Sequence, residues 1–97
     1  MAGSAGDEGA ALYLLWIDPA AEVPGGLDLH GDGHPLAETL WLVRSWLSRS
    51  RLYHRIKRQL PAGAALLVAP LADTREGWPK FKGMEAGALA WLRGAGG

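Results

Sequence analysis

Cysteine is absent from the chain. That removes disulfides, thiolate metal sites and cysteine nucleophiles together. No stretch is apolar for long enough to cross a bilayer: the longest run, Ala10 to Ile17, has eight residues, whereas a membrane helix needs about 20. The opening MAGSAGDEGA has no basic residue, so the flank of a signal peptide is missing. These absences predict a soluble, cytoplasmic protein with no membrane partner. Enzyme signatures are missing too. There is no Gly-rich strand-to-helix phosphate loop, no G-x-S-x-G elbow and no H-E-x-x-H pair. No cofactor and no catalytic residue is expected on those grounds.

Basic charge is missing from the first half of the chain and acidic charge is sparse in the second. Residues 1–43 contain no Lys or Arg and seven acids, Asp7, Glu8, Asp18, Glu22, Asp28, Asp32 and Glu38. Residues 44–97 hold all ten basic residues against Asp73, Glu76 and Glu85. Such asymmetry either marks an anion-binding face or is cancelled when the two halves fold together.

What the chain does have is a core. Ninety-seven residues at 48% apolar content predict one small globular domain, over residues 10–94, with a disordered tail at 1–9 and a frayed end at 95–97. Five tryptophans are many for this length. Trp is seldom wholly buried, which points some of them toward an interface.

The organising stretch is Ser48 to Leu71, SRSRLYHRIKRQLPAGAALLVAPL. At 100° per residue, Leu52, Tyr53, Ile56 and Leu60 share one sector from Ser50 to Leu60, and Arg51, Arg55 and Arg58 lie opposite. Ser48 and Ser50 are candidate N-caps, and Pro61 with Ala62-Gly63 ends the helix. The apolar run Ala64 to Ala69 reads as a strand covered on both faces. Thr39 to Arg44 reads as the strand before the helix, making a βαβ crossover. The rival reading is one helix from Leu36 through Leu60. Leu12 to Ile17 is a further strand, stopped by Asp18-Pro19. Ala20 to Pro35 is a long Gly- and Pro-rich loop that includes a brief Leu27-Asp28-Leu29 strand. Met84 to Arg93 is a final short helix. The expected class is α/β: a small two-layer sandwich of approximate order β-β-α-β-α. A homodimer through a sheet edge or a tryptophan-bearing face would cover what so small a sheet leaves open.

Three places could carry chemistry. Asp28, His30, Asp32 and His34 alternate with other residues in one loop, and imidazole and carboxylate ligands suit Zn²⁺ or a harder divalent ion. This gives the alternative function, a small metal-binding protein or metal-dependent hydrolase using His30, Asp32 and His34. The helix start Ser48, Arg49, Ser50, Arg51 can hold a phosphate or carboxylate. Arg44, Arg49, Arg51, Arg55, Lys57, Arg58, Lys80 and Lys82, interleaved with Trp46, Tyr53, Trp78 and Phe81, could track a nucleic acid. The same residues are also explained by a solvated basic face over a tryptophan-rich core.

Leu27-Asp28, Gly31 and His34-Pro35, followed by Pro61-Ala62-Gly63 and Leu66-Leu67, resemble scattered positions of the TusA-type sulfur carriers. Those proteins place a Cys-Pro at a helix start and a strand after a Pro-Gly turn. His34 stands in the cysteine's place here, so the resemblance does not extend to sulfur transfer. The function expected is a small binding or interaction module for an anionic ligand, phosphate or nucleic acid, at Ser48, Arg49, Ser50, Arg51, Arg55 and Arg58.

Overall fold

The computed structural model describes residues 10–23, 25–84 and 87–94. The tail at 1–9 and the end at 95–97 lie outside the described residues. Four strands form one antiparallel sheet: β1 (Ala11–Ile17), β2 (Asp32–Ala37), β3 (Leu40–Ser45) and β4 (Leu66–Leu71), in the order β2-β3-β1-β4. Helix α1 (Arg49–Lys57) joins β3 to β4, and α2 (Ala88–Gly94) closes the chain.

The central strand, ALYLLWI, is apolar along its whole length because both of its faces are covered. Its odd-numbered residues Tyr13, Leu15 and Ile17 pack with Val43 and with Leu52 and Ile56 of α1. Its even-numbered Leu12 packs with Leu36, Leu42 and with Ala88 and Leu92 of α2. The two helices therefore sit on opposite faces of the sheet. The class is α/β, as the sequence leads one to expect. The layers number three rather than two, because α2 covers the face that α1 leaves.

The βαβ crossover is present in split form. β3 and β4 each pair antiparallel with β1, so they run parallel to one another with β1 between them. The single-helix reading of Leu36 to Leu60 does not hold: Leu40–Ser45 is strand. Ser48 has extended geometry and its hydroxyl accepts from the Arg51 N–H, capping α1. Burying Leu52 and Ile56 contributes about 1.5–3 kcal/mol each, before conformational entropy is counted. The helix stops at Lys57, earlier than its apolar periodicity runs. The next N–H groups shift to three-residue spacing, Gln59 to Ile56 at 2.9 Å and Leu60 to Lys57 at 3.1 Å. The Gln59 side chain then clamps the Asp28 backbone, accepting from its N–H and donating to its carbonyl, both at 2.8 Å. Gly63, at φ +86°, makes the turn into β4.

Three expectations need correction. The long loop is interrupted by β2, which adds a strand to the expected order. DGHPLA holds Gly and Pro because β2 is an edge strand, with a register irregularity between Pro35 and Ala37. β4 is not covered on both sides but is the other edge, with Pro70 inside it and Leu67 46% exposed. Leu27-Asp28-Leu29, expected as a brief strand, forms none; the strand of this segment is β2, which contains His34-Pro35.

Candidate functional site

The exposed side of α1 is built from one short segment. Leu52 and Ile56 anchor the helix, which turns Arg51, Arg55 and Arg58 outward at i, i+4 and i+7. Arg49 and Ser50 are also exposed at its start, and Lys57 reaches over the Tyr53 ring at 5.9 Å. Whether folding would bring acids to these cations is answered by the ion pairs. Among the described residues there are two, His30 with Asp28 at 3.7 Å and Arg44 with Asp73 at 2.8 Å. Neither involves α1. Its first turn contains no acid, where a carboxylate would ordinarily complement the helix dipole. The Ser48 hydroxyl is committed to capping, whereas Ser50 is exposed with no bond recorded among the described residues.

Two of the expected places come apart in the fold. His30, Asp32 and His34 do not converge. His30 adopts φ +57°, its N–H donates to Asp28 and its carbonyl accepts from the buried Ser45 hydroxyl at 2.7 Å. Gly31 follows because a Cβ there would run into the Arg44 carbonyl. Asp32 accepts from the Trp91 indole at 3.2 Å. His34, on the same face of β2, lies beside the Trp91 ring at 5.9 Å, with its Nε2 buried and unpartnered. No group of three metal-capable side chains gathers among the described residues.

The basic and aromatic residues split across the sheet. Trp46, 64% exposed, sits in the turn before α1, and Tyr53 lies on α1 itself. Trp78 and Phe81 pack on the opposite, α2-covered face. There they line a cleft of about 670 Å³ together with Lys80, Arg75 and Arg93. A single nucleic-acid track through both groups would have to pass around the sheet.

Arg44 leaves the basic set altogether. Strand alternation turns it toward α2, where its guanidinium forks onto Asp73 through Nε at 2.8 Å and Nη2 at 2.9 Å. Nη2 also donates to the Leu92 carbonyl at 2.9 Å, and the guanidinium lies 4.7 Å from the Trp91 ring centre. Asp73 accepts from the Trp78 indole as well, at 2.8 Å. The Arg44 hydrogen bond holds the Asp73 carboxyl below its usual range, and the Trp78 bond acts the same way, against partial burial. The Arg44 guanidinium is held more firmly protonated, mainly by that same bond. This clasp fastens α2 and the 72–82 loop to the sheet. One charged residue in an otherwise apolar strand was the only sign of it in the sequence.

No protein-family model, curated protein or solved structure matches this chain. The chemistry of the site rests on its own residues. Among the described residues, no helix is long and apolar enough to cross a membrane.

Proposed function

We propose that this protein is a small, non-enzymatic binding module that takes an anionic ligand on the exposed side of α1. Arg51, Arg55 and Arg58 form the contact row, with Arg49, Ser48 and Ser50 at its start. The observation that carries the reading is the lack of any acidic partner for these cations among the described residues. An unpaired guanidinium row keeps its hydrogen-bonding forks open for phosphate. Three arginines on one helical face, spaced over two turns, suit a ligand with repeated phosphates, such as a nucleic acid, better than a single small ion. The exposed Trp46 ring beside the helix start offers a stacking surface for an unpaired base.

The test is a titration with inorganic phosphate and with single-stranded oligothymidine at low and moderate salt, following the α1 amide resonances. The reading expects shifts centred on Arg49 to Arg58 that weaken with salt. It also expects their loss in an Arg51→Ala, Arg55→Ala, Arg58→Ala variant that still melts cooperatively. Shifts that persist unchanged in that variant would make the basic row a solvated surface only.

A further inference from the structure

A second surface lies on the flank of α1 that faces β4, and the two edges of the sheet differ in how they meet solvent. The β2 edge is blunted: it presents exposed Asp32, exposed Pro35 and an irregular register. These are the usual devices against unwanted strand pairing. The β4 edge, LLVAPL, carries no charge. The direction of its free groups follows from the ladder. Ile17 donates its N–H to Thr39, on the β3 side, whereas Asp18 donates to Ala65, on the β4 side. Alternation then sends the backbone groups of Leu12, Leu14 and Trp16 toward β4, where they meet Leu71, Ala69 and Leu67. Leu66, Val68 and Pro70 consequently point their backbone groups away from β1. Pro70 stands where no N–H is needed for the sheet. Leu66 and Val68 each turn a donor and an acceptor outward, and among the described residues no further strand lies beyond β4 to take them up.

α1 overhangs this edge. Arg49, Ser50, Tyr53 and His54 line a groove of about 330 Å³ whose floor is Val68. Lys57 lies on the same flank, against Tyr53. We infer that β4 receives an extended, acidic peptide strand of another protein, laid in the groove between its outer edge and α1. The backbone of such a strand satisfies Leu66 and Val68, and every second side chain turns toward the helix, where carboxylates meet Arg49 and Lys57. A second copy of this chain is the poorer occupant on charge. Its own LLVAPL offers no acid, and two-fold pairing would set its α1 cations against the first set. Nucleic acid lacks the peptide groups that this edge pairs with. The inference shares Arg49 and Ser50 with the outer-row reading, and none of Arg51, Arg55 and Arg58.

The experiment uses the full chain and three fluorescent probes: a capped peptide of about six residues alternating Val and Glu, its Gln counterpart, and oligothymidine. The acidic peptide should bind, shift the Leu66 and Val68 amides, and bind about tenfold more tightly than the Gln peptide at low salt. Val68→Pro removes one outward donor in the orientation that Pro70 already occupies. It should weaken the acidic peptide about fivefold to tenfold while oligothymidine binding to the outer row stays unchanged. Should that variant melt poorly, Arg49→Ala with Lys57→Ala, both exposed, should erase the preference for Glu over Gln. Any of four results overturns the inference: equal binding of the Gln peptide, indifference to Val68→Pro in a folded variant, edge shifts produced by oligothymidine instead, or self-association through Val68 in sedimentation without peptide. Loss of oligothymidine binding in the outer-row triple variant, with peptide binding intact, would separate the two surfaces.

Discussion

Replacing Asp73 by Asn tests the clasp that joins α2 to the sheet. The carboxylate accepts two arginine bonds and one indole bond, at 2.8, 2.9 and 2.8 Å. Asn keeps the shape and one acceptor oxygen but removes the charge and one acceptor. A hydrogen bond to a charged group contributes about 1.5–3 kcal/mol when desolvated. The Asp73 side chain is 34% exposed, so solvent screening lowers the expected loss to about 1–2 kcal/mol at neutral pH. In a domain of this size that corresponds to a fall in Tm of roughly 5–10 °C. The pH dependence has a definite sign. Asp73 has a depressed pKa in the folded state, so its contribution is fully present above the unfolded value of about 3.9 and is lost as pH falls through the folded value. Thermal melts of wild type and Asp73→Asn from pH 7 down to pH 2 read this directly. The gap in Tm should be steady from neutral pH to about pH 5 and close as the wild-type carboxyl protonates. Equal melting at pH 7, or a gap that stays open at the acid end, would refute the clasp as a stabilising ion pair.

Ile56→Asp would put a charge among Tyr13, Leu15 and Leu52, and should unfold the domain by about 3–5 kcal/mol, visible as lost cooperative melting. Ser48→Ala removes the α1 cap and should cost about 1 kcal/mol in a urea melt with an unchanged slope. Gly31→Ala drives a methyl into the Arg44 carbonyl and should cost about 1–3 kcal/mol by the same assay.

The elements that the sequence reveals well are those whose signals are local. The apolar stripe of α1, the Ser48 cap and the β1 run each rest on neighbours a few residues apart; the cap and β1 form where expected, and the stripe forms through Ile56 but not to Leu60. Of the two candidate caps, Ser48 marks where α1 begins after β3 ends at Ser45. β2 is hidden because an edge strand with a bulge tolerates Gly and Pro, which otherwise mark loops. β4 is found but misplaced. A continuous apolar run suits a covered strand, yet its place in the order depends on pairing with a segment 49 to 59 residues earlier, from Ile17 opposite Leu66 to Leu12 opposite Leu71. The candidate site divides in the same way. The helical spacing of Arg51, Arg55 and Arg58 is local and sets their common outward face. Arg44 bonds Asp73, 29 residues away, and Leu92, 48 away, so only the folded chain removes it from the basic set. His30 and His34 look like paired ligands in the sequence, but the left-handed backbone at His30 and the packing of His34 on Trp91 send them to different neighbours.

The anion-binding role of α1 is tested most directly by the salt dependence of oligothymidine affinity, wild type against the Arg51→Ala, Arg55→Ala, Arg58→Ala variant. Three phosphate contacts to a single strand predict a slope of log affinity against log salt of about −2. The triple variant should retain its fold, bind far more weakly and show a slope near zero. The same slope in both proteins, or no measurable affinity of the wild type at low salt, would contradict the account.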